Sequence, residues 1–193
     1  MSHFNTFKKY TAVILLCTIV AAGCNAQNKP NKKTTMDTIN KKNNPVYSTT
    51  DVSKVTLAED EWKKILSPEV YEVARQKGTE RPWSSKFESF KEVGTYYCAA
   101  CGNALFKSNT KFESGCGWPS FYEPISKASI IYTPDNTHGM QRTEVQCGRC
   151  KSHLGHVFED GPKPTGLRYC INGVVLDFEK AQAAEKKYNE KSE

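Results

Sequence analysis

Net charge is missing from most of this 193-residue sequence. Seven lysines and a single acid, Asp37, precede residue 51, whereas residues 51 to 193 carry 20 basic and 20 acidic side chains. A surface that binds a phosphate backbone needs an excess of positive charge. The balanced part of the chain therefore predicts a protein that does not bind nucleic acid.

An apolar run long enough to span a membrane is also missing. The apolar run from residue 11 to residue 22 has twelve residues, whereas a transmembrane helix needs about 20. It follows Lys8 and Lys9 and leads to Gly23 and Cys24, which is the order of an export signal. Residues 1 to 24 are thus predicted to be a signal peptide.

The end of this signal resembles a bacterial lipobox, because small residues directly precede Cys24. Cys24 is accordingly predicted to carry a lipid that would hold the chain at a membrane of the cell envelope, facing the periplasm. A plain signal peptidase that cuts after Ala26 is the alternative.

Apolar side chains are scarce between residues 25 and 54, where Asn, Lys, Thr and Pro predominate. A segment of this composition cannot bury enough surface to offset the entropy lost on ordering, so it is predicted to be a flexible polar linker. Order is predicted to begin near Leu57. The predicted domain spans residues 55 to 180, and a charged tail follows at residues 181 to 193.

Two short helices are predicted at the start of the domain. Thr56, with Glu59 three residues later, fits the capped start of the first helix. Ser67 and Pro68 begin the second helix, which is predicted to run to Gly78. Both are expected to cover the core rather than to carry chemistry.

After Pro82 the sequence lacks helical periodicity and changes to short runs that alternate with a period of two. Because no helix separates these runs, antiparallel pairing is expected and the fold class is mainly β. The predicted strands are residues 94–98, 104–106, 130–133, 141–147, 153–158, 167–171 and 174–178.

Cysteines are plentiful, and six of the eight lie outside the leader. Four of them form two Cys-x-x-Cys pairs, each of which we call a knuckle: Cys98, Cys101, Cys147 and Cys150. Two such pairs supply the four thiolates that zinc binds tetrahedrally, and four protein ligands leave no position for water, so the zinc would be structural. Disulfides, which an exported compartment permits, are the alternative. The duplication argues against a catalytic dithiol.

The two remaining cysteines, Cys116 and Cys170, are single. In an extended strand Arg168, Cys170 and Asn172 would lie on one face. A guanidinium beside a thiol lowers its pKa, which makes Cys170 a candidate nucleophile. A small buried hydrophobic residue is the alternative.

Two further motifs carry chemically useful side chains. Trp118 lies in a turn-rich segment, residues 115 to 121, that could present its ring at a surface and receive an apolar methyl group; ordinary core packing is the alternative. His153 and His156 reach one site only if Gly155 marks a bulge. Since four thiolates complete a zinc site, proton donation is the more economical role for a histidine.

Several ordered segments resemble those of B-class peptide methionine sulfoxide reductases, the family that acts on the R epimer of methionine sulfoxide. The resemblance covers about residues 55 to 180. The segments are the knuckle after Tyr97, SGCGWPSFYEP at 114–124, THGMQRTEVQCGRC at 137–150 and HLGHVFEDGPKPTGLRYCIN at 153–172.

The resemblance implies a pair of antiparallel sheets that form a barrel-like sandwich, with structural zinc on the four knuckle cysteines as the cofactor. It implies Cys170 as the catalytic cysteine and Cys116 as the resolving one. Gly173 departs from the pattern, because serine would be expected there. The implied pocket contains Trp118, Phe121, His153, His156, Arg168 and Asn172.

The implied mechanism begins with attack of the Cys170 thiolate on the sulfoxide sulfur, while His156, in preference to His153, donates a proton. Cys170 is left as a sulfenic acid and condenses with Cys116. A thioredoxin-like protein would reduce the disulfide. The substrates would be oxidised methionine-containing proteins and peptides, and the enzyme is expected to be a monomer.

Two functions from other classes compete with this interpretation. A non-catalytic zinc-ribbon binding module is opposed by the balanced charge and the export signal. A periplasmic dithiol oxidase or isomerase would act on thiol–disulfide substrates in the absence of any sulfoxide.

Overall fold

The computed structural model describes residues 43 to 181. The predictions for the signal peptide, for Cys24, for linker residues 25 to 42 and for tail residues 182 to 193 lie outside these residues. Within residues 43 to 181, no helix combines the length and the apolar character needed to cross a membrane.

Two helices of seven residues each open the domain, α1 at Glu59–Ile65 and α2 at Pro68–Ala74. The predicted cap at Thr56 is wrong, because Ala58 is the N-cap of α1 and its N–H donates to Glu61 Oε2 at 2.9 Å. Helix α2 starts as predicted, with the Val70 N–H donating to Ser67 Oγ at 3.3 Å.

Helix α2 ends four residues before the predicted stop at Gly78. Lys77 has a φ of 58°, in the left-handed region that cannot continue a right-handed helix. The Gly78 N–H donates to the Glu72 carbonyl at 3.0 Å, which closes the end of the helix. The prediction therefore has the right terminating glycine but too long a helix.

In the described part of the chain, residues 43 to 181, nine strands form two sheets, and every pairing is antiparallel. The smaller sheet has the order β2-β1-β9 and the larger one the order β3-β4-β8-β7-β6-β5. The strands are β1 Gly94–Cys98, β2 Ala104–Lys107, β3 Lys111–Phe112, β4 Ser120–Phe121, β5 Ile130–Asp135, β6 Arg142–Cys147, β7 His153–Phe158, β8 Arg168–Ile171 and β9 Leu176–Lys180.

The prediction of a mainly β fold with two antiparallel sheets is confirmed, but the barrel-like closure is not. In residues 43 to 181 the larger sheet is open, since β3 and β5 are its two outer strands. Strands β3 and β4 were not predicted, because two residues each are too few to show alternation. Strand β9 begins two residues later than predicted, after a 3-10 turn at Gly173–Val175.

Aromatic rings from both sheets meet in the core. Phe121 of β4 stacks on Phe106 of β2, with ring centroids 4.3 Å apart and planes at 13°. Tyr96 of β1 meets Phe121 edge-on at 4.9 Å. The sequence assigns Phe121 to the substrate pocket, but in the structure its side chain is 0% exposed and its ring lies in the core.

Residues 44 to 55 pack against the domain, and we call them the N-terminal strap. Asn44 is buried and its Nδ2 donates to the Ala100 carbonyl at 2.9 Å. The Ser48 N–H donates to the Cys101 carbonyl and the Val55 N–H to the Arg149 carbonyl, both at 3.0 Å. Residues 44 to 54, which the sequence assigns to the linker, thus contact the domain through hydrogen bonds to the backbone of the two Cys-x-x-Cys turns.

Arg149 holds this strap from within the second Cys-x-x-Cys turn. Its Nε donates to the Ser53 carbonyl at 2.9 Å, Nη1 to the carbonyls of Val46 and Cys101, and Nη2 pairs with Asp51 Oδ2 at 2.9 Å. Only 4% of Arg149 is exposed. A buried guanidinium needs such partners, and the strap supplies most of them.

Candidate active site

Strand β8 places Cys170 between two neighbouring strands of the larger sheet. Cys170 is paired in register with Ser120 on β4 and with His156 on β7. Arg168 and Cys170 are partly exposed, whereas the residues that alternate with them are buried. The guanidinium and the thiol therefore share the face that the strand alternation predicts.

Cys116 approaches Cys170 from the loop between β3 and β4. The two Sγ atoms are 3.4 Å apart, and both thiols are free. Since a disulfide bond is about 2.05 Å long, small side-chain rotations are enough to join them. A cleft of about 470 Å³ opens beside Cys116, and its lining includes Asp160 and Arg168. The two thiols are thus close together, both are partly exposed, and Cys116 lines the cleft.

The two thiols differ in acidity. Burial raises the pKa of Cys116, but hydrogen bonds from Ser114 and Ser120 outweigh it and lower the pKa to about 7. Burial, followed by the nearby Cys116, raises the pKa of Cys170 to about 12, against the opposing effect of Arg168. The first proton therefore leaves the pair from Cys116, the reverse of what the Arg168 neighbour predicts for Cys170.

Arg168 is fixed beside the thiols by a carboxylate and a ring. Its Nε and Nη2 donate to the two oxygens of Asp160, each at 2.8 Å. Its guanidinium carbon lies 4.4 Å from the centre of the Phe158 ring. Hydrogen bonds to Asp160 raise the pKa of Arg168, so the cation is permanent.

The two histidines lie together, with ring centroids 5.5 Å apart. The pairing of β6 with β7 is irregular, since Val145 faces Gly155 while Gln146 faces His153, and Leu154 is skipped. This bulge beside Gly155 brings both rings to one side, as the spacing required.

Each imidazole has a carboxylate partner. His156 Nε2 is 2.7 Å from Asp135 Oδ2, which also accepts from Arg142 Nη2 at 2.6 Å. His153 Nδ1 is 2.7 Å from Glu144 Oε1, and both of these side chains are buried. Burial lowers the pKa of His153 despite the Glu144 carboxylate. Hydrogen bonds from Thr137, and then from His156, hold the pKa of Asp135 well below its usual range.

Trp118 is held from behind by a backbone carbonyl. Its Nε1 donates to the Glu80 carbonyl at 3.2 Å, and the side chain is half-buried. The Asn172 amide group binds the same region, because Oδ1 accepts from the Glu80 N–H and Nδ2 donates to the Leu154 carbonyl, both at 3.0 Å. Asn172 therefore lies beyond the end of β8 and supports the segment behind Trp118.

Gly173 occupies a position with no room for a side chain. A Cβ built there would lie 1.8 Å from Ser85 Oγ. The Glu80 carboxylate accepts hydrogen bonds from the Gly173 and Val174 N–H groups, at 2.5 and 2.9 Å. Ser85 thus accounts for glycine at a position where the sequence resemblance would place serine.

The four knuckle cysteines form a separate, buried cluster. Their sulfur atoms all lie within 4.8 Å of one another, and none forms a disulfide. Sγ of Cys98 is 3.8 Å from that of Cys150, and Sγ of Cys101 is 3.6 Å from that of Cys147. This cluster could hold a metal ion, and the disulfide alternative does not describe its geometry.

Comparison with known proteins agrees with this arrangement. A protein-family model described as the SelR domain matches residues 66 to 180. The peptide methionine sulfoxide reductase MsrB of Pseudomonas putida strain W619 is 57% identical over 133 residues, which cover 69% of this chain and 100% of that protein. The chain belongs to the MsrB family.

A second relative of the same name, from Methanosarcina mazei, is 58% identical over 130 residues, which cover 67% of this chain and 93% of the relative. The MsrB-family chain is therefore a peptide methionine sulfoxide reductase, an oxidoreductase. A non-catalytic zinc-ribbon module does not account for these matches.

The structure of this MsrB-family chain brings Cys116, Cys170 and Arg168 together and pairs His156 with Cys170 in register, with the His153 ring beside that of His156. Trp118 contacts the Cys116 thiol through its backbone carbonyl. The structure leaves Phe121 in the core and gives Asn172 a supporting position. Sequence reasoning missed the carboxylates Asp135, Glu144 and Asp160, which hold His156, His153 and Arg168 respectively. Asp160 precedes the Gly-Pro turn that returns to Arg168, a local signal that could have revealed the pair.

A larger cavity, of about 700 Å³, lies between the two helices, residues 79–86 and the segment after β8. The described residues that line it include no cysteine and no histidine. We place the active site at the smaller cleft, because Cys116 and Arg168 line it and the Cys170 sulfur lies 3.4 Å from that of Cys116.

Proposed function

We propose that this enzyme reduces the R epimer of methionine sulfoxide in proteins and peptides, through a sulfenic acid on Cys170 that Cys116 resolves as a disulfide. The observation that carries the proposal is the distance of 3.4 Å between the two sulfur atoms. The described knuckle cysteines lie in their own buried cluster, which leaves Cys116 as the thiol beside Cys170.

The first step transfers oxygen from the substrate to Cys170 and reduces methionine sulfoxide to methionine. The Cys170 thiolate attacks the sulfoxide sulfur while a proton is delivered to the sulfoxide oxygen. The resulting hydroxyl passes to the Cys170 sulfur, so the sulfur–oxygen bond of the substrate breaks as the sulfur–oxygen bond of the sulfenic acid forms. Methionine leaves with two electrons from Cys170, which becomes the sulfenic acid. In the second step the Cys116 sulfur displaces the hydroxyl of the sulfenic acid as water, and the Cys116–Cys170 bond forms.

The reduced pair supplies the thiolate that the first step needs. Its first negative charge resides on Cys116, whose pKa is about 7. Cys170 becomes the nucleophile when its proton passes to Cys116, 3.4 Å away. Arg168, held in place by Asp160, stabilises the charge after it moves to Cys170.

His156 is the proposed proton donor. It is the register partner of Cys170, and its ring is oriented by Asp135. His153 is less suited, since burial lowers its pKa and it is only 4% exposed. Trp118 would receive the substrate methyl group, so that thiol, imidazole and indole together select one configuration at sulfur.

We further propose zinc as the ion of the cysteine cluster. A tetrahedral site with zinc–sulfur bonds of about 2.3 Å places its sulfurs about 3.8 Å apart. The two measured distances of 3.8 and 3.6 Å support that geometry. Zinc would join the turn after β1 to the turn after β6 and would take no part in the reaction.

Three parts of this proposal rest on the sequence. The export signal with Cys24 supports a lipid-anchored enzyme in the cell envelope that faces the periplasm. The redox chemistry requires a dithiol reductant, for which a thioredoxin-like protein is suited. We propose that the enzyme acts as a monomer.

Separated R and S epimers of a methionine sulfoxide peptide test the function. The unaltered enzyme should reduce only the R epimer, and Cys170→Ser should form no methionine. Cys116→Ser should form about one methionine per enzyme and then stop with a thioredoxin-type reductant. Reduction of the S epimer, or turnover by Cys170→Ser, would contradict the proposal.

A further inference from the structure

Trp83 exposes its indole next to the loop that carries Cys116. It is 62% exposed, and among the exposed large hydrophobic residues of the described chain it is the sole tryptophan. Tryptophan is usually well buried because its ring removes a large apolar area from water. An indole left in solvent beside an active site therefore invites a functional explanation.

The backbone at Trp83 is in an unusual conformation. Its φ is 64°, in the left-handed region that bulky residues rarely adopt. The Trp83 N–H donates to the Gly117 carbonyl at 2.7 Å, and the Ser84 hydroxyl donates to the Arg81 carbonyl at 2.7 Å. These bonds hold the turn at residues 81–84 against the loop that carries Cys116, and the turn exposes the Trp83 ring to solvent.

The indole also lies close to that loop. A Cβ built at Gly117 would lie 3.2 Å from two atoms of the Trp83 ring and 2.8 Å from Pro82 Cβ. Gly117 separates Cys116, the resolving thiol, from Trp118, the proposed methyl-binding wall. The exposed ring is therefore next to Gly117, which is the sequence neighbour of both Cys116 and Trp118.

A polypeptide substrate needs a surface beyond the sulfoxide pocket. When the oxidised side chain reaches Cys170, the residues on either side of the methionine must pass over the rim of the cleft. An exposed indole binds apolar and aromatic side chains at little entropic cost, because it is already held rigidly.

We propose that Trp83 is a binding subsite for an apolar or aromatic residue adjacent to the oxidised methionine. The inference rests on the peptide reductase activity of the family and adds a preference for the flanking sequence. Trp83 is a specificity residue in this assignment and touches none of the reacting atoms.

The test compares Trp83→Ala with the unaltered enzyme on three substrates: N-acetyl methionine sulfoxide and two pentapeptides that differ only in phenylalanine or glycine beside the oxidised methionine. The KM for the phenylalanine peptide should rise about tenfold, and kcat should stay the same. The values for the other two substrates should change less than about twofold. Trp83→Phe should keep most of the preference.

Val93→Ala is the matched control, because Val93 is an apolar residue that is 71% exposed and directly precedes β1. An equal loss of activity on all three substrates would show that Trp83 only supports the loop. Unchanged activity on all three would show that the ring does not bind substrate. Either result overturns the subsite. A lack of sulfoxide reduction by the unaltered enzyme would contradict the reductase function itself and the subsite with it.

Discussion

Replacement of Cys116 by serine should make Cys170 a stronger acid. In the reduced protein the pKa of Cys170 is raised to about 12, first by burial and then by Cys116 at 3.4 Å. Two like charges about 4 Å apart repel by about 4 kcal/mol at an effective dielectric constant of about 20, which is about three pKa units. Both thiols are partly exposed, so screening reduces the expected fall to about one to two units.

The assay is the alkylation of each cysteine by iodoacetamide, followed by peptide mass spectrometry as a function of pH. The thiolate is the reactive form, so alkylation rises as the pH passes the pKa. In the unaltered protein Cys116 should respond near pH 7, whereas Cys170 should respond only near pH 12. In Cys116→Ser the Cys170 profile should move to lower pH.

Cys170→Ser is the matched control for this experiment. The hydrogen bonds that join Cys116 to Ser114 and Ser120 remain in that variant, so the alkylation midpoint of Cys116 should stay close to the unaltered one. The reasoning about the shared charge fails if Cys116→Ser leaves the Cys170 profile in place. It also fails if Cys170 is the more acidic thiol of the unaltered protein.

Three further predictions concern the groups that support the site. Asp160→Asn should lower kcat/KM about tenfold, because it releases Arg168, whereas the control Asp60→Asn on α1 should have no effect. Equal activity of the two variants would show that Asp160 does not position Arg168 for the reaction. Arg149→Ala should lower the free energy of unfolding in urea by about 3 kcal/mol, because it leaves buried carbonyls unpaired. A loss no larger than that of the exposed control Lys64→Ala would show that the contact between Arg149 and the strap does not stabilise the domain. A strong chelator should remove one zinc per chain and abolish cooperative unfolding, and Cys98→Ser should purify without metal; bridged knuckles in the native protein would contradict both expectations.

Local patterns predicted those parts of the fold that depend on neighbours in sequence. The bounds of β1 and β7 follow from alternation, and Ser67 caps α2 because a hydroxyl before proline suits a helix start. The two-residue strand β4 carries too little pattern to detect, yet it is the neighbour that sets Ser120 beside Cys170. Long-range strand pairing of this kind cannot be predicted from the pattern of any single local segment.

The site was predictable in its chemistry and less so in its electrostatics. The spacing of Arg168 and Cys170 puts both on one face, but burial outweighs the guanidinium and raises the Cys170 pKa. Phe121 was predicted for the pocket because it lies near Cys116 in sequence, and the strand turns its ring into the core instead. The ordering of the strap depends on Arg149, a contact across about 100 residues that composition cannot reveal.

The most direct test of the central claim is to identify the disulfide after a single turnover. Fully reduced enzyme would be mixed with one equivalent of an R methionine sulfoxide peptide, quenched by alkylation and digested without reduction for mass spectrometry. The account predicts one methionine formed for each Cys116–Cys170 disulfide, with Cys98, Cys101, Cys147 and Cys150 unbridged. Methionine formed while Cys116 remains a free thiol, or a bridge from Cys170 to a knuckle cysteine, would contradict it.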